Sequence, residues 1–370
     1  MGQNSTTPEE LESSREFTGH IKSISTLQYF NGKLYSGSHD SSLRQWDPSG
    51  SCLFVFKGHS KFISAMITSP EGIIYTGSDD GDIRSWAAER QVILHLFKGH
   101  SKTISSLTLH GKKHLYSGSF DNDIRKWDTE TGECLQIFRG HSDIVTGIAV
   151  KGDYIYSSSA DKTIRKWNTE DGTLLLTFNG HTSWVWDFVV MEDGFHMYSC
   201  SQDKTVRKWN CTTGKCMKVM EEAKDCVCRI AVAKNVDGMG GTHLITASWD
   251  GIIREYRVDE GDEWKRDLKG HSTKVKNIMV KGRILVSGGD DNDVRIWDLK
   301  HGKTVCILKV RKPFTSICRG KSNNVLYVAT RDGNIKEFSL EKTKKNFDGL
   351  VEDLDTDQTA THYAESNISV

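Results

Sequence analysis

The sequence predicts an all-β repeat protein of eight units, each of about four short strands, and three observations carry that prediction. The aromatic residues Trp46, Trp86, Trp127, Trp167, Trp209, Tyr256, Trp297 and Phe338 recur at intervals of 40 to 47 residues. An aspartate stands six residues before each of them, at Asp40, Asp80, Asp121, Asp161, Asp203, Asp250, Asp291 and Asp332. Between these points the chain is short-stranded rather than helical: Ile144 to Val150, Tyr154 to Tyr156 and Thr163 to Trp167 are β-branched or aromatic runs bounded by Gly, Asp and Ser.

The elements of a unit follow in order. Six units open on a Gly-His pair, contributing His20, His59, His100, His141, His181 and His271, each 26 to 28 residues before its aromatic. After a first strand, the second carries a small hydroxyl ten residues before the aromatic: Ser36, Thr76, Ser117, Ser157, Ser199, Thr246 and Ser287, with Val328 in the eighth unit. The aspartate falls in the turn to the third strand, as Asp80-Gly81, Asp121-Asn122, Asp250-Gly251 and Asp332-Gly333, pairs that favour tight hairpins. The third strand ends on the aromatic, and the fourth starts just after a turn glycine such as Gly50, Gly132 or Gly214. Units six and eight depart, with Glu222-Ala223 and Lys309-Val310 in place of Gly-His. Asn235 to Gly241 lengthens unit six as a loop between its first two strands; its glycines are followed by neither the Lys-Ser/Thr nor the helix of a phosphate loop.

With its Gly-His pairs and stretches such as LYSGSFDNDIRKWD at residues 115–128, the chain resembles the WD-repeat (WD40) family of β-propellers over roughly residues 15–345. The resemblance implies a single eight-bladed β-propeller of four-stranded antiparallel blades; seven blades, the commoner family number, is the alternative that the weak eighth unit leaves open. It also implies a network in which the Trp N–H donates to the Ser/Thr hydroxyl, the hydroxyl to His and His to the turn Asp, which units six and eight cannot build. Phe17-Thr18-Gly19-His20 has the form of Phe56-Lys57-Gly58-His59, so the N-terminal segment is expected to supply the outer strand of the last blade and remove an exposed edge.

The resemblance further implies where partners are met: the residue before each turn Asp, and those three and five beyond each opening His, which alternate along one strand and so point the same way. These places hold His39, Phe62, Phe120, Gln202, Trp249, Arg331, the pair Trp184 and Trp186, and the pair Lys274 and Lys276. Three of the four tryptophans outside the repeat position gather here in adjacent units five and six, as binding hot spots do. Beside them Lys274, Lys276, Arg311, Lys312 and Arg331 form a basic arc suited to an acidic or phosphorylated peptide with an apolar anchor.

Composition excludes much else. Lys+Arg and Asp+Glu both number 49, so no global positive field draws nucleic acid, and Asp79 and Asp290 share the candidate face. The nine cysteines have no zinc-ribbon spacing and read as reduced thiols; neither metal nor cofactor is expected, including at Cys226-x-Cys228. Ser, His and Asp recur too often for a catalytic triad, which is needed once, so no enzyme is expected. Residues 1–14 are expected to be disordered, as is the tail 346–370 with Asp348, Glu352, Asp353, Asp355 and Asp357. Gly2 followed by Thr6 fits the N-myristoylation form, and membrane contact is expected only through it, because Glu9, Glu10 and Glu12 supply no basic second anchor. Ile368-Ser369-Val370 could enter a domain that captures C-terminal carboxylates. The expected function is a monomeric, non-catalytic scaffold binding peptide segments of other proteins, in the cytoplasm or alternatively the nucleus. A substrate-recognition subunit of a ubiquitin ligase is the alternative, against which stand the roughly 15 residues before the first repeat, too few for an F-box.

Overall fold

The computed structural model describes residues 8–236, 241–320 and 324–340. Gly2, the acidic tail with its Ile368-Ser369-Val370 end, and residues 237–240 of the unit-six insertion lie outside them. The described strands form eight sheets, each built on four antiparallel strands, arranged as an eight-bladed β-propeller. Blade three is representative, running from inside to outside as Ile104–His110, His114–Ser119, Ile124–Asp128 and Cys134–Phe138. The inner strand of blade one, Ile24–Phe30, touches both Ile63–Thr68 of blade two and Phe314–Arg319 of blade eight, which closes the ring.

The turn after each aspartate explains the hairpins. The next residue is left-handed in all eight blades: Ser41, Gly81, Asn122, Lys162, Lys204, Gly251, Asn292 and Gly333, with φ between 63° and 90°. This is a type I turn followed by a left-handed residue, closed in blade three by Asn122 N–H donating to Ser119 O at 3.2 Å. Glycine is demanded where the next blade presses in: a Cβ on Gly81 would lie 2.6 Å from His100 O.

The core lies between blades rather than within them. Ala65, Ile67, Tyr75, Ile83 and Phe97 of blade two form one cluster with Ile104, Leu107, Leu115 and Trp127 of blade three, and other seams repeat the pattern. At five seams a phenylalanine ending one outer strand packs edge-on against the repeat Trp of the next blade: Phe17–Trp46, Phe56–Trp86, Phe97–Trp127, Phe138–Trp167 and Phe178–Trp209, with centroids 5.5 to 6.1 Å apart.

The first of these is the ring closure. Arg15–Phe17 pairs antiparallel with Ile335–Ser339 as the outer strand of blade eight, and fully buried Phe17 reaches Trp46 of blade one. The segment 1–14, expected to be disordered, needs correction at residues 9–11. Glu9–Leu11 pairs parallel with Cys306 to Leu308 as a fifth strand of blade seven. Leu11 packs on the core of blades seven and eight, and Glu10 meets Lys309 at 3.2 Å. The outer strand Lys303–Lys309 is apolar from Val305 to Leu308, so covering it buries surface that a charge-rich N-terminal sequence does not advertise.

Phe17→Ala should therefore lower stability by about 3–5 kcal/mol, the range for emptying a buried Phe site, whereas Leu11→Ala should cost under about 2 kcal/mol. Urea denaturation of the two variants checks the order; an equal cost would mean that the seam does not depend on Phe17.

Candidate functional site

The loop face on which the turn aspartates lie is held from beneath by the polar chain. In blade three Trp127 Nε1 donates to Ser117 Oγ at 2.8 Å, His100 Nε2 lies 2.7 Å from that hydroxyl, and His100 Nδ1 lies 2.8 Å from Asp121 Oδ2. The hydroxyl already accepts from the indole, so it donates to Nε2 and the ring proton sits on Nδ1, facing the carboxylate. His20–Asp40, His59–Asp80, His141–Asp161, His181–Asp203 and His271–Asp291 repeat the contact at 2.7 to 3.1 Å. The glycine of the pair is needed because a Cβ on Gly99 would lie 2.5 Å from Arg125 Nη1 and 3.1 Å from the Trp127 ring. Blades six and eight are built otherwise. Arg254 Nη2 meets Asp250 at 2.8 Å and Tyr256 donates to Glu222 at 3.0 Å, while Val328 and Phe338 join an apolar cluster.

Above this layer one hydrogen bond recurs in all eight blades. The N–H of the residue before the turn Asp donates to the carbonyl of the residue three beyond the opening His position: His39 to Ser23, Asp79 to Phe62, Phe120 to Thr103, Ala160 to Ile144, Gln202 to Trp184, Trp249 to Cys226, Asp290 to Lys274 and Arg331 to Pro313, at 2.8 to 3.0 Å. The two places are thereby fixed side by side around the mouth. The third place behaves differently, and here the sequence reading is corrected. Ser25, Ser64, Ser105, Thr146, Trp186, Cys228, Lys276 and Thr315 are each skipped by the pairing register of their inner strand, a β-bulge in every blade. Strict alternation fails at a bulge, and in blades one to four and six the side chain turns toward the next blade. Ser25 donates to Ile63 O, Ser64 to Ile104 O at 2.5 Å, Ser105 to Val145 O at 2.6 Å and Thr146 to Val185 O at 2.6 Å. The run of small hydroxyls at this place in units one to four was the available signal for that role.

Blade five puts a tryptophan where blades one to four and blade eight put a hydroxyl. Trp186, expected at the surface, is only 5% exposed and packs with Cys226 and Cys228. Its ring lies 5.6 Å from Trp184 and 6.1 Å from Trp249, both half-buried, so one buried indole props two that reach the mouth. Exposed Lys274 sets its ammonium 4.2 Å from the Trp249 ring centre. Just below, Asp187 Oδ2 accepts Ile230 N–H of blade six at 3.3 Å; burial raises its carboxyl, opposed by nearby Arg229. Across the mouth His39 stacks on Phe62 at 4.6 Å, and burial, Lys22 and Arg331 push the His39 pKa down. Phe120 is half-buried, and Gln202 and Arg331 are exposed.

The basic arc is largely neutralised. Lys276 pairs with Asp290 at 2.8 Å, Lys312 with Asp332 at 3.7 Å and Arg311 with Glu12 of the N-terminal segment, leaving Lys274 and Arg331 as its cations without a carboxylate partner among the described residues. Cys226 and Cys228 are buried, and burial above all pushes both thiols up, Cys228 to about 11. Among the described residues no three His, Cys, Asp or Glu side chains are disposed to hold a metal ion.

Comparison with known proteins places this geometry. The family model described as "WD domain, G-beta repeat" matches residues 11–47, 50–87, 91–128, 132–168, 172–210 and 263–298, more than half of the chain. The chain is 28% identical over 115 residues to the F-box/WD repeat-containing protein sel-10 of Caenorhabditis elegans, covering 30% of this chain and 19% of that protein. It is 26% identical over 122 residues to WD repeat-containing protein 55 of Rattus norvegicus, covering 32% and 31%. It is 28% identical over 100 residues to the small ribosomal subunit protein RACK1y of Oryza sativa, covering 26% and 29%. The similarity thus spans under a third of each of these relatives. Among solved structures, the computationally designed Ika8 protein superposes with a TM-score of 0.79 at 23% identity, covering 90% of this chain and 99% of that one, a likeness of fold alone.

The polar chain makes stability depend on pH in a set direction. Burial would raise Asp40, Asp80, Asp121, Asp161 and Asp203, but the hydrogen bonds from their histidines and turn groups override it and hold them well below the usual carboxylate range. Burial lowers His141 and His181, partly countered by Asp161 and Asp203. Groups depressed in the fold stabilise it above their ordinary values and lose that contribution as pH falls toward the folded ones, so both kinds act alike. The melting temperature should fall from pH 7 downward, gently below about 6.5 and steeply below about 4. Asp121→Asn should melt lower than wild type at pH 7, with the gap narrowing toward about pH 2; a gap independent of pH would rule out the carboxylate charge as its source.

Proposed function

The chain belongs to the WD domain, G-beta repeat family, and from that membership we propose that it is a non-catalytic interaction scaffold whose aromatic cluster in blades five and six captures an extended segment of a partner protein. The observation that carries this reading is the departure at Trp186: a position that serves blade-to-blade hydrogen bonding in blades one to four is given to a tryptophan that supports two half-buried ones. Half-buried indoles bury large area at small entropic cost when a partner covers them. Lys274 beside Trp249 favours a segment with an apolar anchor next to an acidic or phosphorylated residue. The Ser-His-Asp sets support no hydrolysis, since the hydroxyls are fully buried and recur from blade to blade. A second reading, substrate recognition within a ubiquitin ligase, is favoured by the likeness to an F-box/WD repeat-containing protein, over 19% of that protein's length.

Affinity purification with mass spectrometry, comparing wild type with Trp184→Ala/Trp249→Ala, tests the first reading. Trp186 stays intact in that variant because emptying a buried Trp site costs about 3–5 kcal/mol. A variant that melts like wild type and loses a defined subset of partners is the expected result. Identical partner lists would move the function away from this cluster, and ubiquitin-ligase subunits recovered with both proteins would favour the second reading.

A further inference from the structure

The end of the ring opposite the mouth carries a second repeated device. In blades three, four and five the residue just before the repeat Trp is a lysine facing a tyrosine of the second strand: Lys126 with Tyr116, Lys166 with Tyr156 and Lys208 with Tyr198. Each ammonium lies 5.5 to 6.0 Å from its tyrosine ring centre. Each then reaches an oxygen in the loop of the next blade: Thr169 O at 3.0 Å, Cys211 O at 3.1 Å and Asp262 Oδ2 at 2.8 Å. At these three seams the fold therefore builds a seat for a lysine ammonium, walled by an aromatic face and completed by an oxygen acceptor.

Blade one has the seat without the lysine. Gln45 faces Tyr35 in the same register, donates to the Tyr35 hydroxyl at 2.9 Å and leaves its own buried Oε1 without a partner among the described residues. Ala88 of blade two, two residues past Trp86, stands where Thr169 and Cys211 stand two residues past Trp167 and Trp209. A cavity of about 310 Å3 opens at this place, lined by Tyr35, Ala88, Phe30, Lys33, Glu71 and Glu89. Two of those groups are acidic; Glu71 also pairs with Lys112 at 2.9 Å, and Lys33 contributes one positive charge to the wall. A volume of this size holds an extended lysine side chain with room for its backbone attachment.

We propose that this cavity receives the ammonium of a lysine side chain presented by a partner protein, a second binding site at the end of the propeller opposite the aromatic mouth. The partner's lysine occupies the place that the chain's own lysines fill at the three seams between blades three and six. Tyr35, Ala88 and the carboxyl-bearing Glu71 and Glu89 line the seat, and Gln45 lies buried against the Tyr35 hydroxyl outside that lining.

The test uses the whole protein labelled with 13C at alanine methyl groups and titrated into the millimolar range with Nα-acetyl-lysine methylamide, and separately with its norleucine counterpart at matched ionic strength. The Ala88 methyl should shift saturably with the lysine probe and at least fivefold more weakly with norleucine. Gln45→Lys should abolish the shift by filling the seat and raise the melting temperature by about 1–3 °C, while Gln45→Met should not raise it. No shift, equal shifts with both probes, or a shift that survives in Gln45→Lys would each overturn the proposal. Trp184→Ala/Trp249→Ala should leave the Ala88 shift intact, so failure here is separable from failure of the mouth as a binding face.

Discussion

The edge-on contact between a phenylalanine ending one blade and the tryptophan of the next is the interaction on which this ring depends. A single four-stranded sheet is apolar on both faces and has no helix to cover either, so every blade needs two neighbours and the last must find the first. Phe17 meets that need at the seam, placing the N-terminal strand in blade eight while its ring belongs to the core of blade one. With the seams packed, the polar chain from Trp127 through Ser117 and His100 to Asp121 can lie buried without loss, because each member is satisfied by the next. That chain ties the turn and the loop before the inner strand together, and so defines the face presented to partners.

The parts legible from the sequence are those repeated in nearly every unit. The aromatic and the aspartate declare blade number and hairpin position because each answers a packing or turn requirement that no blade escapes, and the Phe-x-Gly-His form at Phe17 to His20 declares closure. The bulge on the inner strand was not legible, since a bulge changes the direction of a side chain without changing residue type; hence Trp186 was expected beside Trp184 at the surface. Neither was the pairing of Arg311 with Glu12, which lie 299 positions apart and meet only because the N-terminal segment crosses the seam. Glu9–Leu11 escaped notice for a related reason: what makes it a strand is the apolar outer strand of blade seven, not its own composition.

Repetition of this kind also gives a way to read function. Where all units agree, the residue serves the ring; where one unit departs and the structure shows no need for it, the residue is free to serve something else. Glu222 and Tyr256 in blade six are departures that satisfy one another, and Arg254, an arginine shared by seven units, meets Asp250 where the histidine is missing. Trp186 and Gln45 are departures of the other kind. Trp186, itself buried, props two half-buried indoles at the mouth, and Gln45, also buried, stands at the opposite end where blades three to five carry a lysine.

The fifth strand of blade seven has a mechanical consequence. Glu9–Leu11 and Arg15–Phe17 are consecutive stretches of chain fastened to different blades, so a pull on the N-terminus reaches them in series. The parallel strand on blade seven takes the load first and must peel away before tension is felt by the strand that shuts the ring. Traffic or tethering at the N-terminus is thus isolated from the seam by a sacrificial latch, and the ring stays shut until that latch is spent.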